Sequence, residues 1–268
     1  MTPGAPSAAS RLLGLLCAVA LCAAAPVAAQ WSRASVLKPV IVGEGPHDTA
    51  AFTQGLLWLN GSLYESTGLY GASSLRELNP VTGAVRRKHA LGAAYFGEGL
   101  AFLDGDFVQI TWKEGVALRY RQAQWGRKEP RREPFAYAGE GWGLTTLGKH
   151  FWMSNGSDTL YRRDKHFKIT GRVGVRLDGR PLRNLNELEG VGDKLIANVW
   201  YSDSLFIIDP GSGVVMAVVD GSELARRSGR RSRDDVLNGI AYDPVRKLFY
   251  VTGKNWPRMF RVNIPFAF

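Results

Sequence analysis

Short apolar runs, each closed by polar or turn-forming residues, recur in the same order five times along this chain. Each round opens on a small turn that leads into an apolar run: Gln54-Gly55-Leu56, Glu98-Gly99-Leu100, Trp142-Gly143-Leu144, Glu189-Gly190-Val191 and Asn238-Gly239-Ile240. Successive rounds lie about 44 to 49 residues apart, the length of one four-stranded propeller blade. A short strand ending in polar or aromatic residues follows each turn: Tyr64–Thr67, Gln109–Trp112, Met153–Asn155, Asn198–Trp200 and Val251–Lys254. A further strand then runs into a turn, as in Leu75–Pro80 and Leu205–Pro210. One repeat cannot bury both faces of its own sheet, so the repeats must pack around an axis. The pattern therefore predicts an all-β, five-bladed β-propeller. Val36–Val42 precedes the first round and is placed to pair with the last blade, closing the ring and leaving no open sheet edge.

The first residues follow another pattern. Arg11 precedes an apolar run from Leu12 to Ala25, and Val27-Ala28-Ala29 supplies small residues before Gln30, so residues 1–29 read as a signal peptide. Residues 30–268 then form a single propeller domain, expected to be exported to a periplasm or the exterior as a monomer. No later segment approaches the roughly 20 apolar residues of a membrane span. Both cysteines, Cys17 and Cys22, fall in the leader, so the mature chain is expected to lack disulfides and any thiol nucleophile.

The chain carries a net charge of +10, and basic residues recur in two segments read as irregular, Gln122–Pro134 and Leu224–Asp235, the second with a short helix N-capped by Ser222. Both read as solvated connections, and export argues against a nucleic-acid partner. His-Glu-x-x-His, Gly-x-Ser-x-Gly and the phosphate-cradling glycine loop are all missing. His47, His89, His150 and His166 are scattered, without ligand-like spacing, so neither a metal nor a cofactor is expected.

Chemistry-bearing residues do cluster in the repeat. Glu98, Trp112, Trp142, Asn155, Asn186, Glu189, Trp200, Asn238 and Lys254 fall in the opening turns or at the ends of the strands that follow. Such positions are expected to meet at one mouth of the central channel, where tryptophans and a few directed polar groups make a small-ligand pocket.

As a set, Phe52–Leu56, Glu65–Gly68, Phe96–Leu100, Thr111–Lys113, Gly141–Leu144, Asn186–Gly190, Ala197–Trp200, Leu237–Ala241 and Thr252–Trp256 resemble the plant and bacterial type of glutaminyl-peptide cyclotransferase, colinearly from about Val40 to Val262. The resemblance implies a five-bladed propeller, no catalytic metal, and conversion of N-terminal glutamine in peptides or proteins to pyroglutamate with release of ammonia. It implies that Glu98 is the acid/base glutamate and that Lys254 is a pocket lysine. It also places Gln54, Asn186 and the indoles of Trp112 and Trp200 in the pocket as candidate oxyanion donors, with Phe52, Phe96 and Trp142 as walls. Glu65 and Glu189 are reserve carboxylates for the substrate's α-ammonium. Two other readings stay open on the residues alone: a non-catalytic exported propeller holding a peptide or sugar, and a calcium-dependent propeller lactonase with Glu98, Asn155, Asn186, Glu189 and Asn238 around the ion.

Overall fold

The computed structural model describes residue 1 and residues 33–127 and 131–268, all but the first within the unit Trp31–Phe268. The expected signal peptide lies, apart from residue 1, outside the described residues. The repeats fold as five antiparallel four-stranded sheets. The first comprises Thr53–Leu59, Ser62–Thr67, Ser74–Leu78 and Val85–Ala90, and the second Gly97–Leu103, Asp106–Thr111, Val116–Arg121 and Arg131–Ala136. The third holds Leu144–Leu147, His150–Met153, Thr159–Arg163 and Ile169–Gly174; the fourth, Leu185–Val191, Lys194–Val199, Ser204–Ile208 and Val215–Asp220. The fifth is built from Leu237–Asp243, Leu248–Gly253, Arg258–Asn263 and, from the other end of the chain, Val40–Pro46. The innermost strands adjoin in a closed cycle, the fifth against the first, so this is a five-bladed propeller. Among the described residues no helix is long and apolar enough to cross a membrane.

Burial explains the sequence pattern. Each sheet is covered on both faces by its neighbours, so Ser62–Thr67 and Asp106–Thr111 are buried at every position and show no alternation. The apolar core is split into wedges between adjacent blades: Leu56, Leu63, Tyr250 and Met259 fill one, Tyr64, Phe107, Tyr120 and Trp125 the next. The outer strand Val85–Ala90 is almost wholly exposed.

Ring closure is divided differently from the expectation. Ser35–Leu37 pairs in parallel with Val215–Asp220 of the fourth blade, and only Val40–Pro46 completes the fifth. Pro39, which has no N–H to give a ladder, separates the two. The segment Gln122–Pro134 is not irregular throughout: a 3-10 turn at Gln122–Gln124 leads to the outer strand Arg131–Ala136, whose register slips between Arg132 and Phe135, beside Pro134. The helix Ser222–Arg227 forms, but Gly221 is its N-cap and Ser222 its first residue, with the Ser222 N–H donating to the Asp220 carboxylate.

One repeat boundary shifts as well. Leu56, Leu100, Leu144, Leu188 and Ile240 occupy matching places opposite the second strands, which puts Asn186-Glu187, not Glu189-Gly190, at the start of the fourth round. Glycine normally fills the second position because the neighbouring blade passes close by; a Cβ at Gly99 or Gly143 would collide with the next blade's backbone. Glu187 breaks that rule, and its carboxylate accepts from the Leu56 and Ile240 N–H groups of the first and fifth blades, at 3.3 and 3.0 Å.

Candidate active site

The innermost strands of blades one, two, four and five each slip register at one point: between Thr53 and Gly55, Gly97 and Leu100, Leu185 and Leu188, and Leu237 and Ile240. A bulge re-aims the side chains it carries. Those carried here are Gln54, Glu98, Asn186 and Asn238. In the third blade Trp142 stands just before the inner strand, where its N–H donates to the Ser154 carbonyl at 3.1 Å. Local distortion in four blades, and the turn before the inner strand in the third, thus bring these residues toward one end of the channel.

There they enclose a cavity of about 350 Å³ lined by Phe52, Gln54, Leu69, Phe96, Glu98, Trp112, Trp142, Asn186, Trp200, Asp234 and Lys254. Glu98 is 4 % exposed, and its Oε1 accepts a 2.9 Å bond from Gln54 Nε2. Asn238 donates to Gln54 Oε1 at 3.2 Å and to the Thr53 carbonyl, so it holds the amide that holds the acid. The Ser66 hydroxyl donates to the Glu98 carbonyl and itself accepts from Gln109, which fixes the backbone beneath. Lys254 reaches in from the fifth blade, its Nζ 4.7 Å from the centre of the Phe52 ring. Asn186 Oδ1 is buried without a hydrogen-bond partner among the described residues. An unpaired acceptor in so apolar a space is costly unless a ligand satisfies it.

Removal from water governs the charges. Burial raises the Glu98 pKa well above the usual carboxylate range; Lys254 opposes the rise, while Glu114 and Glu140 add to it. Burial likewise lowers the pKa of Lys254, against the pull of Glu98 and Asp234. Burial thus favours the uncharged form of each group.

Glu140 has a part that the sequence did not disclose. Its Oε2 accepts both indole N–H groups, Trp112 at 2.9 Å and Trp142 at 3.0 Å, while Lys113 lies 3.7 Å over the Trp112 ring. The Trp112 N–H is therefore committed to Glu140 and does not serve as an oxyanion donor. Phe96 packs edge-on between Phe52 and Trp112, with centroids 6.1 and 5.5 Å away, and Trp142 meets Trp200 edge-on at 5.6 Å.

Three expected residues stand elsewhere. Asn155 is consumed locally, its Oδ1 accepting from the Ser157 N–H and hydroxyl. Asn238 lies behind Gln54 rather than on the cavity. Glu189 faces the other end of the channel, in a cavity of about 640 Å³, and is held by the Tyr242 N–H and the Thr145 hydroxyl. The misplaced repeat boundary caused that error. Glu98, Asn155, Asn186, Glu189 and Asn238 accordingly do not converge as the proposed calcium cage required. Glu65 is not a spare carboxylate either: His47, Thr53 and Arg76 saturate it, and despite full burial their charges and hydrogen bonds hold its pKa at about 2. His47, bonded to Glu65 at 2.9 Å and to the Trp256 carbonyl at 2.8 Å, is a satisfied core histidine. Leu69 and Asp234 were missed because neither occupies a repeated position.

A sequence model of the family described as glutamine cyclotransferase matches residues 13–264. The chain belongs to the glutamine cyclotransferase family. It is 41 % identical over 229 residues to a glutaminyl-peptide cyclotransferase of Arabidopsis thaliana, covering 84 % of this chain and 70 % of the relative. The crystal structure of a glutaminyl cyclase from Myxococcus xanthus superposes with a TM-score of 0.80 at 35 % identity, covering 87 % of this chain and 98 % of that one. Family and fold thus agree with the ring described above.

Proposed function

We propose that this chain cyclises N-terminal glutamine of peptides and proteins to pyroglutamate, releasing ammonia, with Glu98 as the proton shuttle. A buried acid, cushioned by aromatic rings and held by a neutral amide, is the observation that carries the reading. The substrate's α-amine nitrogen attacks its own side-chain carboxamide carbon, so the enzyme need only fold one residue upon itself. As the carbon–nitrogen bond forms, Glu98 takes a proton from the amine; as the tetrahedral intermediate collapses, Glu98 returns it to the carboxamide nitrogen, and ammonia departs. A carboxyl with its pKa raised toward the working pH suits both transfers. Lys254, and the amide of Asn186, stabilise the developing oxyanion in this reading. Phe52, Phe96, Trp112, Trp142 and Trp200 shape the space around the curled side chain and exclude water.

The family membership and the 41 % identical cyclotransferase support this reading over a binding module or a lactonase. The N-terminal pattern supports export. The test is ammonia release from a Gln-initiated dipeptide and from its Nα-acetylated form. Release from the free peptide alone, undiminished by a chelator, is expected; equal release from both, or none from either, contradicts intramolecular attack.

A further inference from the structure

The cavity accounts for a glutamine side chain, but a peptide substrate continues beyond it, and the mouth has a distinct surface. Among the described residues the three exposed aromatic side chains are Tyr70, Trp200 and Tyr201, 52, 38 and 46 % exposed, and all stand at this mouth with Leu69, which is 42 % exposed. Leu69 and Trp200 line the cavity itself. Tyr70 packs edge-on to Phe96 at 5.4 Å, and Tyr201 stacks on Trp200 at 4.5 Å. Exposed aromatic surface in one place is a mark of a binding site rather than of a random exterior.

Two further observations show that the collar is built. Leu69 and Tyr201 have φ of 82° and 64°, a left-handed backbone that bulky residues adopt at a cost of order 1 kcal/mol or more. Glycine would relieve it, yet large side chains are kept. The tyrosine hydroxyls are also tied down, Tyr70 to Glu114 at 2.7 Å and Tyr201 to Asp234 at 2.6 Å. The carboxylates of Glu114 and Asp234 are thereby engaged, and Arg233 lies over the Tyr201 ring at 5.2 Å. The rings of Tyr70, Trp200 and Tyr201 and the Leu69 side chain offer apolar surface between them.

We infer that this collar is a subsite for the side chain of the second substrate residue, selecting bulky apolar or aromatic groups over small or acidic ones. It rests on the cyclisation reading above and deepens it. The second residue is attached directly to the glutamine carbonyl, so its side chain must leave the cavity past Leu69 on one side and Trp200 on the other. Aromatic rings offer it area at little entropic cost, since they are already fixed.

The test is kcat/KM for Gln-Gly, Gln-Phe and Gln-Asp in wild type, Tyr70→Ala, Tyr201→Ala, the double alanine variant and the double phenylalanine variant. Wild type is expected to favour Gln-Phe over Gln-Gly by about tenfold, as burial of part of an aromatic ring provides. Gln-Asp should be the poorest substrate. The double alanine variant should bring the Phe/Gly ratio close to one. The double phenylalanine variant, which keeps the rings, should retain most of the preference. Equal use of Gln-Gly and Gln-Phe by wild type, or an unchanged ratio in the double alanine variant, overturns the subsite and leaves the cyclisation reading standing. Wild type inactive on all three overturns both.

Discussion

Glu98 and Glu140 are both acidic and both close to the pocket tryptophans, yet their surroundings give them opposite duties. Glu98 has a single amide donor and is shut away from water, so its proton is held tightly. Glu140 takes two indole N–H groups on one oxygen and has a side chain 42 % exposed, so it anchors rings instead. Glu140→Ala is expected to free Trp112 and Trp142, raising KM for a Gln-dipeptide about tenfold with a smaller change in kcat and a shift in tryptophan fluorescence, whereas Glu140→Gln, which still offers a carbonyl oxygen, should recover most of the loss. Steady-state kinetics of the two variants checks this. Glu189 gives a second contrast. Its pKa is raised by burial to about 8, so between its ordinary value of 4.5 and 8 the folded state binds a proton that the unfolded chain has lost. Folding stability from this group therefore falls as pH rises through that window. Glu189→Gln should melt at nearly the same temperature as wild type at pH 5 and several degrees higher at pH 8 to 9, as thermal unfolding across pH will show.

At the scale of strands, regular pairing builds the blades and irregular pairing builds the site. The hydrophobic runs disclosed the strands because each sheet needs apolar residues on both faces. The bulges were not legible, since a register slip is decided by the neighbouring strand and leaves no period of its own. Hence Glu98 and Gln54 were found through their glycine context, whereas Asn186, which lacks that context, was grouped with the opening turns without being recognised as the start of its round, and Glu189 was mistaken for a member of the set. Glu187 is the residue that misled the count, because it stands where the four other blades have glycine against their neighbour. Gly143→Ala tests the packing at this level: the added methyl meets the backbone of Asn186 and Glu187, and a loss of about 3 kcal/mol or more in denaturant unfolding is expected, with activity falling as Trp142 and Asn186 move apart. The Trp112 and Trp142 anchor was equally hidden, because Glu140 meets Trp112 only after the strands between them have folded.

For the whole molecule, closure of the ring matters more than any single blade. The fifth blade takes its outer strand from Val40–Pro46 and the fourth is extended by Ser35–Leu37, so the start of the propeller secures its end. Truncation to residue 47 should uncover the edge of Arg258–Asn263 and yield aggregates in size-exclusion chromatography, while truncation to residue 33 should remain monodisperse. This closed circle is what lets Gln54, Glu98, Trp142, Asn186 and Lys254, one from each blade, share a cavity. The measurement that bears most directly on what the cavity does is kcat for ammonia release from a Gln-dipeptide by Glu98→Gln, with circular dichroism confirming that its fold matches wild type. Loss of the proton shuttle predicts a fall of about a hundredfold or more. A folded Glu98→Gln protein that keeps wild-type turnover would contradict the account.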